Sequence, residues 1–100
     1  MDNRCINRMT VLGSKEQVQR FLKSKWERRL HARYCEWIEN FPCRVVCLFE
    51  TDDPPLESLS KLSRGWPQLT LMVDYEIERQ RIKGLAKTQE GQTSHCEFGY

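Results

Sequence analysis

Apolar or aromatic residues occupy every second position from Leu69 to Ile77, and Thr70, Asp74 and Glu76 stand between them. A period of two is typical of a strand with one buried side and one exposed side. The stretch therefore predicts the central strand of a sheet whose apolar side lies under helices.

The first third of the chain predicts a strand and a helix. Residues 5–11 alternate in the same way and are followed by Gly13, which indicates a first strand. Ser14 stands three residues before Gln17, the spacing of a capping box. A helix of about four turns is expected next, because apolar residues recur at steps of three and four. These residues are Val18, Phe21, Leu22, Trp26 and Leu30.

The next segment predicts a hairpin. Residues 34–38 are rich in strand formers, residues 40–42 (Asn-Phe-Pro) favour a turn, and residues 45–49 form an apolar run. A run of this kind is typical of a strand buried on both faces. The competing interpretation extends the first helix through Ile38.

A second helix and further strands complete the chain. We expect Asp53 to cap this helix, Pro54 to occupy its first position and Gly65 to end it. Its apolar face carries Leu56, Leu59 and Leu62. After the central strand, residues 82–87 predict another strand, and Glu90-Gly91 predicts a tight hairpin. A short final strand carries Cys96, Phe98 and Tyr100 on one face.

The predicted order is β-α-β-β-α-β, followed by one or two extra antiparallel strands at the C-terminal end. This is an α+β, ferredoxin-like two-layer sandwich with two helices on one face of the sheet. One hundred residues suit a single domain, residues 1–100.

Three segments resemble a known family. Residues 3–13 (NRCINRMTVLG) are similar to the N-x-C-x-N-x-L-x-V-x-G opening of the YubB-type ferredoxin-like proteins of phages and plasmids. Residues 49–55 (FETDDPP) and 62–70 (LSRGWPQLT) resemble two later motifs of that family, and Gly84 also has a counterpart. Arg4 and Asp52 depart from the pattern, because tryptophan is common at both positions. The resemblance implies a ferredoxin-like fold and an origin in mobile elements, with no established activity and no catalytic residues.

The sequence offers no constellation of catalytic or metal-binding residues. The five cysteines are an odd number and follow no secretory signal, so buried free thiols are expected rather than disulfides. Cys43 and Cys47 are too far apart on one strand to share an ion, and a site shared by Cys5, Cys47 and Cys96 across strands is the less favoured alternative. No nucleophile motif accompanies His31 or His95. We therefore predict no enzyme, metal or cofactor; a small metal- or thiol-dependent enzyme is the weakest alternative.

The leading functional hypothesis is a protein interface on the sheet face remote from the helices. Residues 45–49 supply apolar side chains to both faces of their strand, so some of them point away from the helices. With Ile6, Phe49 and Met72 they form an apolar patch that needs a cover, either the terminal segment with Phe98 and Tyr100 or a second chain. A protein partner or a homo-oligomer is thus expected. No apolar run is long enough to cross a bilayer, and a cytoplasmic location is the default expectation.

The alternative hypothesis is binding of nucleic acid by the first helix. The net charge is +2, but residues 15–33 hold seven Lys or Arg and two Glu. Arg20 and Lys23 lie on the predicted solvent side, and together with Arg28 they can approach phosphates. Lys25 and Arg29 fall at the edge of the apolar arc, where their stems can lie along the core. The open faces of the first and central strands contain no aromatic residue for base stacking.

Overall fold

The computed structural model describes residues 4–100, which form six strands and three α-helices. In chain order these are β1 (Cys5–Leu12), α1 (Lys15–Leu22), α2 (Trp26–Leu30), β2 (Arg33–Phe41), β3 (Arg44–Thr51), α3 (Leu56–Arg64), β4 (Thr70–Ile77), a 3-10 turn (Glu78–Gln80), β5 (Ile82–Gln89) and β6 (Gln92–Gly99). The strands make one antiparallel sheet in the order β2-β3-β1-β4-β5-β6. The helices cover one of its faces, so the fold is an α+β arrangement of two layers.

The central pair β1 and β4 confirms the predicted alternation. Leu71, Val73, Tyr75 and Ile77 are all buried, while Asp74 is exposed. The register between the two strands places the odd-numbered residues of β1 opposite the odd-numbered residues of β4. Cys5, Asn7, Met9 and Val11 therefore lie on the same, helix-covered side, and each is fully buried.

A cluster of aromatic rings lies between the sheet and the helices, among the aliphatic side chains of the core. The Trp26 ring stacks on Phe21 with centroids 5.9 Å apart, and it meets Phe49 edge to face at 5.7 Å. Phe21 also contacts Trp66 edge to face at 5.3 Å. Each buried aromatic ring removes roughly 150–250 Å² from water, which makes this cluster a main source of the stability of the two layers.

The predicted first helix is wrong as a single element, because it is broken between α1 and α2. In a continuous helix Phe21 and Trp26, five residues apart, would point about 140° apart. The break allows both rings to face the sheet, and the Ser24 hydroxyl donates to the backbone oxygen of Phe21 at 2.6 Å. His31 then adopts a left-handed conformation (φ 55°), which ends α2 before β2 begins. The competing helix through Ile38 is therefore wrong, and the predicted hairpin is confirmed.

The predicted cap of the second helix is also wrong. The helix begins at Leu56, its N-cap residue is Pro55, and Asp53 is exposed and makes no side-chain cap. A residue that precedes a proline is disfavoured in the helical region, so Pro55 prevents Pro54 from starting the helix. The predicted end at Gly65 is confirmed.

Two strands extend the sheet beyond β4. Glu90 and Gly91 both have positive φ angles, 54° and 79°, as a tight two-residue hairpin requires, so the predicted turn is confirmed. The turn is attached to α3, because the Ser60 hydroxyl donates to the Gly91 oxygen at 2.6 Å and the Gly91 N–H donates to Ser63 Oγ at 3.1 Å. β6 is a full strand of eight residues that pairs only with β5 in the described chain.

Gly84 of β5 allows the Tyr75 ring to lie across the backbone. A Cβ atom at position 84 would overlap that ring. We expect Gly84→Ala to lower the free energy of unfolding by about 1–3 kcal/mol, because the ring must move within a packed layer. Urea unfolding measures the effect.

Gly65→Ala is the matched control. Its Cβ would meet only the Leu62 oxygen, at 3.5 Å, and the backbone there is right-handed helical. Equal losses of stability for the two variants would show that the position of the Tyr75 ring does not require a glycine at position 84.

Candidate functional site

The sheet face remote from the helices, here called the open face, holds an apolar groove of about 460 Å³. The register makes one row across five strands, from Leu48 through Arg8, Asp74 and Leu85 to Cys96. The neighbouring row contains Glu50, Ile6, Glu76, Lys83 and Phe98. Apolar and charged residues from different strands thus lie side by side on one face of the sheet.

The apolar part of the groove is exposed. Ile6, Leu85 and Phe98 line it and are 40%, 50% and 55% accessible. Leu48 contributes a half-buried side chain between them. Large apolar side chains grouped in this way across several strands mark a surface that a partner can cover.

Two of the three predicted interface residues lie on this face, and one does not. Ile6 lines the groove, and the half-buried Met72 belongs to the next row of the same face. The prediction for Phe49 is wrong, because its side chain is 1% exposed and packs against Trp26 in the core. The register pairs Phe49 with Asn7, which is on the helix-covered side. Because the run 45–49 is apolar at every position, the sequence pattern does not indicate which of its residues face the helices.

The C-terminal segment does not fold back over the groove, and only the side chain of Tyr100 reaches across one end of the open face. The segment forms β6 beside β5 and extends the sheet sideways, so Phe98 lies at the edge of the groove. The Tyr100 ring lies 5.5 Å from the Arg81 guanidinium and 5.2 Å from Lys83 Nζ, and its hydroxyl donates to Glu76. As the sequence predicted, the open faces of β1 and β4 carry no aromatic residue; Phe98 comes to this surface from β6.

Charges of both signs surround the groove. Arg8 and Asp74 face each other across β1 and β4, and both are exposed. Within residues 4–100 neither belongs to an ion pair. Arg4 does pair with Glu50 at 3.5 Å on the same face. Two adjacent, opposite and unpaired charges are therefore available to a partner near the middle of this surface.

A polar cluster on the helix-covered side joins β6 to the sheet. The Tyr75 hydroxyl donates to Glu97 Oε1 at 2.6 Å, and His95 Nε2 lies 2.5 Å from the same hydroxyl oxygen. Burial, followed by the hydrogen bond to Glu97, raises the pKa of Tyr75 well above its usual value. The phenol consequently stays protonated and acts as a donor, which suits an anchor and not a catalytic base. The sequence analysis did not predict this cluster. Gly84 could have indicated it, because it pairs with Tyr75 and its missing side chain leaves space for the tyrosine ring.

Asn7 is a second buried polar group with a structural role. Its Nδ2 donates to Thr51 Oγ1 at 2.9 Å, and the Cys5 thiol donates weakly to its Oδ1 at 3.5 Å. Its hydrogen-bonding groups are thus used within the fold, where they connect β1 to the end of β3.

The thiols do not converge on a metal site. Cys5 and Cys47 are buried on the helix-covered side, whereas Cys96 is exposed on the open face. Burial raises the pKa of Cys5 to about 11 and that of Cys47 to about 12, so both remain protonated near neutral pH. Among residues 4–100 no group of three or more His, Cys, Asp or Glu side chains is arranged to hold a metal ion.

The predicted nucleic-acid residues are exposed in the helical layer. Arg20 extends from α1, Lys23 caps its end and Arg28 lies on α2, and none of them forms an ion pair in the described part of the chain. A separate groove of about 270 Å³ runs between α2 and α3. Lys25 and Arg29, which were expected along the core edge, line that groove.

No protein-family model, curated protein or solved structure matches this chain. The resemblance of three segments to YubB-type proteins therefore stays a prediction. No helix in the described residues is long and apolar enough to cross a membrane.

The Tyr75 anchor predicts a local effect on β6. We expect Tyr75→Phe to lower the free energy of unfolding by about 1–2 kcal/mol, because Glu97 and His95 lose their common partner. Amide hydrogen exchange should accelerate in β6 more than in β1. A uniform change along the sheet, or none in β6, would contradict an anchoring role.

The buried thiols predict a fall of stability in alkali. An unfolded thiol ionises near its ordinary pKa of 9.0, whereas folded Cys5 ionises near 11. The raised pKa therefore contributes stability that is present below pH 9 and is lost as the pH rises towards 11. Cys5→Ala should reduce the slope of unfolding free energy against pH over that range, as measured by urea unfolding.

Cys96→Ala is the control for this measurement. Cys96 is exposed, and its removal should leave the slope unchanged. Identical slopes for wild type and Cys5→Ala would contradict the assigned burial of the Cys5 thiol.

Proposed function

We propose that this chain is a non-enzymatic protein-interaction module that self-associates by packing the open face against that of a second copy. The observation that carries the proposal is the groove of Ile6, Leu48, Leu85 and Phe98, which none of the helices in the described part of the chain covers. Burial of these side chains provides a driving force of roughly 25 cal/mol for each Å² of apolar surface removed from water.

The proposal includes the finer assignment of the fold. The spatial order β2-β3-β1-β4, with helical connections after β1 and β3, supports a ferredoxin-like plan to which β5 and β6 are added. Membership of the YubB-type family, an origin in mobile elements and a cytoplasmic location form part of the same proposal. The motif resemblance supports the first two.

The size of the open face is sufficient for a dimer. Six strands at ~4.8 Å spacing and eight residues at ~3.3 Å rise give a projected area of about 760 Å². A stable interface of standard size takes about 800 Å² of accessible surface from each partner, and accessible surface exceeds the projected area beneath it. Face-to-face packing can therefore use this surface alone.

The charges favour a second copy over a strongly acidic or basic partner. A two-fold interface brings the same patch of both protomers together, so a charge near the axis needs its complement close by on the same chain. Arg8 and Asp74 are neighbours of this kind. In a dimer, Arg8 of one protomer reaches Asp74 of the other, and the contact is made twice. A partner of one sign would leave either the cations or the anions of this face unpaired.

Charge reversal tests this arrangement. Arg8→Asp and Asp74→Arg should each weaken the dimer by at least about tenfold, because like charges then face each other across the axis. An equimolar mixture of the two variants should recover a heterodimer, since the first variant presents two carboxylates at the axis and the second presents two guanidinium groups. Analytical ultracentrifugation over a concentration series measures both effects.

Gln19→Glu is the matched control for added negative charge. Gln19 is exposed on α1, in the opposite layer, and its replacement should leave association unchanged. Wild-type protein that remains one chain at every concentration, or a mixture that gains no dimer, would reject self-association through this face.

A further inference from the structure

The groove between α2 and α3, here called the basic groove, is lined by cations and by no carboxylate among residues 4–100. Lys25 and Arg29 approach it from the α2 side and Lys61 from α3. Trp66 contributes an aromatic wall, and the remaining lining residues are Ser24, Trp26, Leu62 and Gly65. The groove lies in the helical layer, so it is separate from the open face.

The arrangement is electrostatically unfavourable when empty. Lys25 and Arg29 are four residues apart, where like charges destabilise a helical segment. Lys25 also occupies the N-cap position of α2 without a capping hydrogen bond, and a cation is disfavoured at that end of a helix. Lys61 has a partner in Glu57 at 3.3 Å, but Glu57 does not line the groove. A position that breaks local preferences without a structural gain is expected at a functional site.

An anion would relieve this repulsion. Three cations around a small concave surface give a positive potential, which low-dielectric walls focus. Lys and Arg bind phosphate through charge-assisted hydrogen bonds.

Trp66 narrows the class of ligand. It is half-buried, and its ring is held edge to face against Phe21 with centroids 5.3 Å apart. A fixed indole beside phosphate-binding cations is the combination that binds single-stranded nucleic acid, in which bases stack on aromatic rings while the backbone follows positive charge.

We propose that the basic groove binds the phosphate of a nucleotide unit, with its base against Trp66. Single-stranded nucleic acid is the ligand that best fits a groove open at the surface. The residues are Lys25, Arg29, Lys61 and Trp66. Arg28, which the sequence suggested, lies on the same short helix but outside the lining of the groove.

Fluorescence anisotropy with a labelled oligothymidylate of about twelve nucleotides tests the proposal. Binding should weaken as salt rises, and the double variant Lys25→Ala/Arg29→Ala should reduce the slope of log K against log salt by about 1.4, the value for two lost contacts to a single strand. Arg28→Ala is the matched control, because it removes one cation from the same helix and should reduce affinity less than about twofold.

A second readout locates the ligand. In a proton–nitrogen spectrum the indole signal of Trp66 should move on addition of oligothymidylate, and it should move more than that of Trp37, which contacts the groove only through Trp26. A mononucleotide that moves Trp66 equally at equal phosphate concentration would assign the groove to free nucleotides; an oligonucleotide that binds more tightly would assign it to the polymer. Either result supports the phosphate site.

Three results would overturn the proposal. The first is an absence of binding at about 50 mM salt, where electrostatic binding is strong. The second is an equal loss of affinity for Arg28→Ala and for each of the single variants Lys25→Ala and Arg29→Ala. That result would mean that the cations attract nucleic acid by their charge alone and do not form a specific site. The third is an unmoved Trp66 signal, or a shift that inorganic phosphate alone reproduces in full. Circular dichroism of each variant identifies any loss that comes from unfolding.

Discussion

The antiparallel pairing of β1 with β4 is the constraint on which the rest of the structure depends. Their register places odd-numbered residues of both strands on one side, and burial of those residues under the helices leaves the even-numbered residues on the other. A slip of one strand by one position would move its buried side chains to the open side of the sheet. The core, the open face and the position of each charge on that face all follow from this register.

The helical layer adapts to the sheet, and it does so by interrupting a helix. Phe21 and Trp26 can both reach the core only because the chain breaks between α1 and α2. The same break places Lys25 at the start of α2 and directs it, with Arg29, into the basic groove. Packing of the aromatic core and the formation of a cationic surface thus have one local cause.

Strong local patterns made much of the fold predictable. Alternation at Leu71, Val73 and Tyr75, the Glu90-Gly91 turn and the stop at Gly65 each depend on neighbouring residues, and the structure contains all of them. The assignment of Phe49 to the open face failed because tertiary packing decides it. The run 45–49 is apolar throughout, so only its register with β1 reveals that Phe49 is in the core and Leu48 is not.

The candidate surfaces were less predictable than the fold, because they combine residues distant in sequence. The groove on the open face needs Ile6, Leu48, Leu85 and Phe98, which come from four strands. Trp66 and Lys61 meet Lys25 only after α3 packs beside α2. The two surfaces lie on opposite layers, so occupation of one leaves the other accessible. A dimer formed through the open faces would present two basic grooves on its outer sides.

The solvent accessibility of methyl groups on the two sides of the sheet tests most directly which residues are buried and whether the open faces associate. A soluble paramagnetic agent should broaden the methyl signals of Ile6 and Leu85 in dilute protein and spare those of Leu71 and Val73. At high protein concentration the Ile6 and Leu85 signals should become protected as the open faces associate. Broadening of Leu71 and Val73 would contradict the assigned sides of the sheet, and an Ile6 signal indifferent to concentration would contradict association through the open face.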